Sequence, residues 1–460
     1  MKNKTKIVFW GFFSLDYKAM EEYLEEMAEK GWMPVKIGQY IARFRAIEPS
    51  KLKFYVDVFK KGGTLTPDNN VELVEYRRLC QESGWTFITS YEYLQFFYAD
   101  VDSETVPIQT DEKIEQKIVE NTLLRREMFN IFIILILSIY IMTNIFPIKY
   151  NNLLSFVGVA ITFLYPIFFI FASISAIYSI IFIATSRRNI KNGLPITKPT
   201  LKSARRRIIA FNGSTLIIIL IFSLAFIADA FYKPDDILIL LGTIVGMTTG
   251  LGIRHLVKKN KIHEDKIILY TVIAIIVVIV FMRMVGTYIK NSSDDIYKVE
   301  SVLPEDYPII SLNEISKQSS EGSVSREFKL GMSPIVPRHY TYSEYENINP
   351  NGNGINVKYY EAINPYFAEI IFNGITEKLE KGMKWRGMTI FTKNIITDDE
   401  LKNLLGVDNM ALTEDKDEII IQKGNIVLHL DDYTEVMDFY DKDIRELIVS
   451  RFFSDSSLKN

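Results

Sequence analysis

The chain has 460 residues, a formal net charge of −3 and 48% hydrophobic residues. That length has room for about three domains, and the near-neutral balance excludes a global field that would select nucleic acid or an anionic surface. A single cysteine, Cys80, excludes a disulfide framework within the chain and a thiolate metal site.

The start, MKNKTKIVFWGFF, is basic, but its apolar run is short and no small-residue cleavage site follows. No cleaved signal peptide is expected. KIVFW reads as a strand. Apolar residues at Leu15, Met20, Tyr23, Leu24 and Met27 then trace one helical face, and Gly31 is placed to stop that helix. MPVKI and YIARFRA follow as strands. The segment EYLEEMAEKGWMPVKIGQYIARFRA (Glu22–Ala46) returns as EYRRLCQESGWTFITSYEYLQFFYA (Glu75–Ala99). The second copy has KLKFYVDVF before its helix and a longer loop, KKGGTLTPDNN, between strand and helix. Two tandem β-α-β-β units predict an α+β domain over residues 1–110, with a ferredoxin-like arrangement. Trp32 and Trp85 sit at matching helix-to-strand corners. They read as core anchors, each worth roughly 2–3 kcal/mol of burial, against the alternative of a paired aromatic ligand site. Residues 1–110 carry 14 Lys/Arg and 16 Asp/Glu, so no direct nucleic-acid binding is expected.

The helix ending in EMAEKGW, its continuation into a strand ending RF, the shorter SGW copy and YADVDSE together resemble the bacterial domain of unknown function numbered 2812, over roughly residues 1–125. In that family the domain often precedes membrane spans, and its genes often lie near transcriptional regulators of the PadR type. The resemblance implies a membrane-bound regulatory or sensory role with a cytoplasmic protein partner, a transcriptional regulator being one candidate. It supplies no catalytic residues.

TDEKIEQKIVENTLLRREM predicts a connecting helix over 111–127 that leads into the bilayer. Long apolar runs follow, each near the ~20 residues needed to cross ~30 Å of hydrocarbon as helix. They predict an all-α region over 128–288 with five spans, at about 128–148, 157–184, 208–228, 237–253 and 267–288. The uncharged stretch 150–186 is longer than one span needs and contains Pro166, so it reads as one long helix or as a span with an interfacial segment. The loop SRRNIKNGLPITKPTLKSARRR carries Arg187, Arg188, Lys191, Lys198, Lys202, Arg205, Arg206 and Arg207 and no acid. RHLVKKNKIHEDK is also basic, and the alternate loops are not. The Lys/Arg bias predicts a cell-membrane protein with its N-terminus cytoplasmic and its C-terminal domain outside.

Gly242, Gly246 and Gly250 recur at four-residue spacing, a face that lets another backbone approach, from the same chain or from a second protomer in a homo-oligomer. A substrate path along that groove is the functional alternative. Asp229 and Arg283 are the charged candidates for an intramembrane pair; a structural role is favoured because an Arg near an interface snorkels.

Residues 289–355 read as a linker, with a Ser-rich SKQSSEGSVS and a turn cluster NINPNGNG. A small α+β domain is expected over 356–460. It has a helix capped by Asn364 with Pro365 in its first turn, a short helix at TDDELKNLLG, a hairpin turning at Lys423-Gly424-Asn425, and a closing amphipathic helix. His339 and His429 stand singly, and TEDKDE (Thr413–Glu418) reads as a solvated turn without calcium-loop spacing. No HExxH, GxSxG or Walker-type loop occurs. No cofactor, metal or catalytic activity is expected. The reading is a multi-pass sensor or regulator in signal transduction, coupling the outer domain to a cytoplasmic protein-binding domain. The alternative is a transport or envelope-assembly component with the spans as the active part.

Overall fold

In a computed structural model, each copy of the repeat forms its own three-stranded sheet with the same strand order. Residues 4–38, 40–63, 66–106, 108, 112–194, 199–232, 236–259, 266–296, 307–315, 324–346, 354–385, 388–390, 392–432 and 437–454 are described. Two compact units emerge. The first comprises Met1–Ile141, Pro166–Leu220 and Gly242–Phe281; the second comprises Met142–Tyr165, Ile221–Leu241 and Met282–Asn460.

In the first unit, β1 (Thr5–Phe9), α1 (Tyr17–Glu29), β2 (Trp32–Ile37) and β3 (Ile41–Ala46) make one repeat, with antiparallel strand order β1-β3-β2. The second repeat is β4 (Leu52–Val58), α2 (Val71–Glu82), β5 (Thr86–Tyr91) and β6 (Leu94–Asp100), with order β4-β6-β5. The match extends to defects: β2 is irregular between Pro34 and Lys36, and β5 between Phe87 and Thr89, at equivalent positions. A bulge deepens twist where a strand must turn across its neighbour. The ferredoxin-like expectation is therefore corrected. Six strands, with a fresh strand opening each repeat, form two three-stranded sheets instead of one shared sheet.

The repeats interlock through α1, which packs on β4 of the other copy. Glu25 accepts from the Phe54 amide at 3.4 Å and Glu21 from the Val56 amide at 2.8 Å, so side chains cover amides on an edge strand. Trp10, fully buried, joins the copies with its ring 6.3 Å from Phe96.

Helix α3 (Glu112–Val119) runs through a π-helical turn (Glu120–Leu124) into α4 (Arg125–Ile145). A short α5 (Tyr150–Leu153) precedes α6 (Phe156–Lys191), which contains Pro166. The stretch 150–186 is thus a short helix followed by one long helix. Next come α7 (Leu201–Arg207), a second π-helical turn (Ile208–Gly213), α8 (Ser214–Ala230), α9 (Asp236–Lys258) and α10 (Ile267–Ile296). Helices stand at all five expected span positions. Among the described residues two are long and apolar enough to cross a membrane, Lys117–Ile145 and Phe156–Lys191; Leu216–Ala230 and Leu269–Phe281 are shorter apolar helices. Only 11% and 20% of the apolar windows of the two long helices are buried, unlike core helices of a water-soluble protein.

The second unit holds a seven-stranded antiparallel sheet among the described residues. After α11 (Leu312–Ile315) come β7 (Val324–Gly331), β8 (Arg338–Glu346), β9 (Gly354–Glu361) and α12 (Pro365–Lys381). The pair β10 (Met383–Trp385) and β11 (Met388–Ile390) follows, then β12 (Ile395–Ile396) and α13 (Asp399–Leu405). The chain continues through β13 (Asn409–Thr413), β14 (Glu418–Lys423), β15 (Ile426–Asp432) and α14 (Lys442–Phe452), and the sheet order is β12-β13-β14-β15-β9-β8-β7. The linker expectation for 289–355 is corrected here, because β7 and β8 come from that segment. In β8, Tyr340 and Tyr342 alternate onto one buried face, a period of two that the surrounding polar residues obscured. The 316–323 part of the Ser-rich stretch and 347–353 lie outside the described residues. The Asn364 cap holds, accepting from Phe367 at 3.1 Å, and the hairpin turns at Gly424. The closing helix is Lys442–Phe452; of the stretch expected before it, 437–441 is not helical and 433–436 lies outside the described residues.

Candidate coupling interface

The acidic helix α1 has two working faces. Met20, Leu24 and Met27 bury into the repeat core, while the carboxylates beside them meet the basic segment after α6. Glu22 accepts from the Leu201 amide at 3.2 Å, and Thr200 accepts from Ser203 at 3.4 Å, so the start of α7 is capped twice. One turn further along both helices, Arg205 bonds Glu26 at 2.6 Å. Arg207 bonds Asp16, whose side chain is 2% exposed. Between these pairs Leu201, Ala204 and Ile208 enter the same hydrophobic cluster as α1. The basic loop is thus more than a topology signal, for two of its arginines are partly neutralised by the repeat domain.

Burial pushes the Asp16 carboxyl above its usual range, and Arg207 beside it does not fully offset this. Arg207 also donates to Tyr178 at 2.7 Å and Ser203 at 2.6 Å.

The helix entering the first apolar stretch docks on the same domain. Tyr17 donates to Glu115 at 3.2 Å, and Lys18 lies 2.8 Å from Glu21 and 3.8 Å from Glu115. Arg126 bonds Glu92 and Ser14, with its guanidinium 5.3 Å from the Tyr93 ring. Val119, Leu123 and Leu124, together with Phe182 and Ile183 of α6, belong to the buried cluster formed by both repeats. Arg187 of α6 meets Glu120 at 3.3 Å. The first π-helical turn contributes Leu123 and Leu124 to this core and the second starts from its Ile208, and such turns displace the hydrogen-bond register. Among the described residues, the buried Thr122 Oγ1, Arg126 Nε and Ser186 Oγ make no hydrogen bond. Buried polar atoms without partners mark costly packing.

The residues singled out in sequence fall elsewhere. Gly31 and Gly84 take φ of +81° and +88°, and a Cβ there would meet Ile47 O at 3.0 Å and Glu104 O at 3.1 Å. Trp85 is buried beside Cys80 and Phe97 and donates to Val106 O at 2.9 Å. Trp32 is only half-buried, with Lys6 over its ring at 5.1 Å. The larger anchor, Trp10, lies outside the repeated segment that drew attention. Gly246 and Gly250 share α9 with Gly242, and the space where their Cβ atoms would stand is open. Among the described residues no backbone comes within 4 Å of those two positions. Asp229 caps a helix: its two oxygens accept from the Phe156 and Val157 amides of α6 at 2.7 and 2.8 Å. Arg283 is exposed on α10.

The second unit contains a polar cluster that single-residue reading missed. His429, buried on β15, bonds Glu418 of β14 at 2.7 Å, and Lys393 meets Glu418 at 2.9 Å and Asp417. Thr413 donates to Asp417 at 2.7 Å. The TEDKDE segment is therefore solvated only in its middle, since Thr413 and Glu418 at its ends are buried. Burial holds the His429 imidazole below its usual range, as Lys358 also does, against the pull of Glu418. Burial opposes ionisation of Glu418 too, but its bonds to His429 and Lys393 prevail and lower it. The cross-strand pairs Ile420↔His429 and His429↔Lys358 set these groups on one face. That relation was readable only with the register in hand. Among the described residues no group of His, Cys, Asp and Glu forms a metal-holding cluster.

No curated protein and no solved structure matches the chain. Residues 16–133, from Asp16 through α3 and into α4, match the family described as "Protein of unknown function (DUF2812)", so the helix entering the apolar region lies in the matched segment as well as in the repeat core, and the N-terminal domain of this chain resembles that family.

Proposed function

We propose that this is a multi-pass membrane protein that couples the state of its C-terminal α+β domain to a cytoplasmic protein bound by its DUF2812-like domain. One observation carries the reading. The unbroken helix α6 contributes its first turns to the second unit and its last turns to the first. At its start, Phe163 meets Phe367 of α12 edge-on at 6.3 Å. At its end, Phe182 and Ile183 are core residues of the repeat domain. A helix held in a core at one end and touching α12 through a ring contact at the other offers a stiffer route for a shift than a flexible tether does.

In this reading five spans cross the bilayer, the basic loops and N-terminus face the cytoplasm, and the C-terminal domain is outside. Replacing Cys80 with Ser and introducing cysteines one at a time tests the orientation. Glu75→Cys should label only from the inside and Glu446→Cys only from the outside, and the reverse pattern defeats the topology. Cross-linking and co-purification of the full chain from native membranes tests the function. Recovery of a cytoplasmic protein cross-linked to the DUF2812-like domain supports coupling. Recovery of none, with loss of flux in a Gly246→Leu variant, assigns the activity to the spans as a transport or envelope-assembly component.

A further inference from the structure

A second feature lies where α3 passes into α4. A cavity of about 340 Å³ opens there, within the ~300–1,000 Å³ range of small-ligand sites. Its polar lining is entirely of donors or groups that can donate: Lys60, Asn121, Thr122, Arg125 and Arg126. No carboxylate lines it. Lys60 and Arg125 are exposed, and the structure shows no ion pair for either among the described residues. The Thr122 hydroxyl is 93% buried by residue, being 7% exposed, and together with Arg126 Nε it has no hydrogen-bond partner. Tyr93 and Phe129 complete the wall, and the apolar run of α4 starts beside Phe129.

We propose that this cavity binds an anion carrying a phosphate group. Lys60 and Arg125, a hydroxyl, a side-chain amide and Arg126, which also pairs with Glu92 and Glu127, line one space that holds no carboxylate, a surface that suits a phosphate's several oxygens. A phospholipid headgroup fits if its acyl chains run along α4; a free phosphate or phosphorylated metabolite presents the same oxygens. The inference does not depend on the orientation of the chain or on a protein partner, so its failure would leave the proposed function standing.

The test is thermal unfolding of the full chain in a neutral detergent at low ionic strength, titrated separately with inorganic phosphate, dioctanoyl phosphatidylglycerol and dioctanoyl phosphatidylcholine. The wild type should show a saturable rise in midpoint with at least one of the two anions and none with phosphatidylcholine. A response to phosphatidylglycerol alone assigns a lipid headgroup; a response to phosphate assigns a free anion. Lys60→Gln with Arg125→Gln should raise the half-saturating concentration at least tenfold, and Thr122→Val several-fold, while Lys60→Arg should keep wild-type affinity. Among the described residues these exposed cations show no ion pair, so the double variant should fold, and its unliganded midpoint checks that. The proposal is overturned if neither anion gives a saturable shift, or if the double variant titrates like the wild type.

Discussion

Arg207→Ala should destabilise the repeat domain in a way that depends on pH. Asp16 is 1% exposed as a residue, and Arg207 is its cationic partner. Without the arginine, the carboxyl keeps only the Phe13 amide at 3.3 Å against its burial and holds its proton in the folded state. From an ordinary value of 3.8, keeping that proton at pH 7 costs about 4.4 kcal/mol, at ~1.36 kcal/mol per pH unit, and this is the ceiling on the loss, because the raised wild-type carboxyl already bears part of it. This agrees with the 3–5 kcal/mol typical of breaking a buried pair. In the variant the folded state binds a proton that the unfolded chain has released, so the loss shrinks as pH falls, to no more than about 1.6 kcal/mol at pH 5. Asp16→Asn combined with Arg207→Ala removes the carboxylate and should recover most of the loss. About 1 kcal/mol remains for each lost bond to Tyr178 and Ser203. Trp10, Trp32 and Trp85 all lie in this domain, against one tryptophan elsewhere, so denaturant unfolding in micelles can be followed by fluorescence. A loss of equal size at pH 5 and pH 7, or a double variant no better than Arg207→Ala, would refute the reasoning.

Gly31→Ala and Gly84→Ala should each cost about 1–2 kcal/mol from the positive φ alone, more if Ile47 or Glu104 cannot yield; equal stability to wild type by the same fluorescence assay would count against the duplicated corner. Asp229→Ala should lower the thermal midpoint in detergent by the equivalent of about 1–2 kcal/mol as two α6 amides lose their acceptor, and Asp229→Asn by less. In the C-terminal domain, His429 is neutral when folded and takes up a proton when unfolded below about pH 6.5. Stability should therefore fall on acidification from pH 6.5, by no more than ~1.4 kcal/mol per pH unit. Glu418, depressed in the fold, adds a further loss as pH drops below its unfolded value near 4.5. A near-UV circular dichroism melt across pH 7.5 to 4 should show both phases, and His429→Gln should remove the first; a flat wild-type profile would falsify the buried-neutral assignment.

Local chemistry was legible wherever it repeats or caps. The GW corners, the α1 stripe, Asn364 and the Gly424 turn depend on a few adjacent residues and on backbone sterics, which a sequence states directly. Membrane-length helices were legible for the same reason, since apolar length is a one-dimensional property. Pairing was not. That each repeat closes its own sheet, that α1 crosses to the other copy, and that Tyr340 and Tyr342 face a core all depend on long-range register. The same holds for the chemistry of the charged residues. Arg205 and Arg207 looked like a topology signal, and Asp229 like half of an ion pair. Their actual partners lie some 70 to 190 residues away in sequence, and only the fold brings those charges and amides within a hydrogen bond's reach.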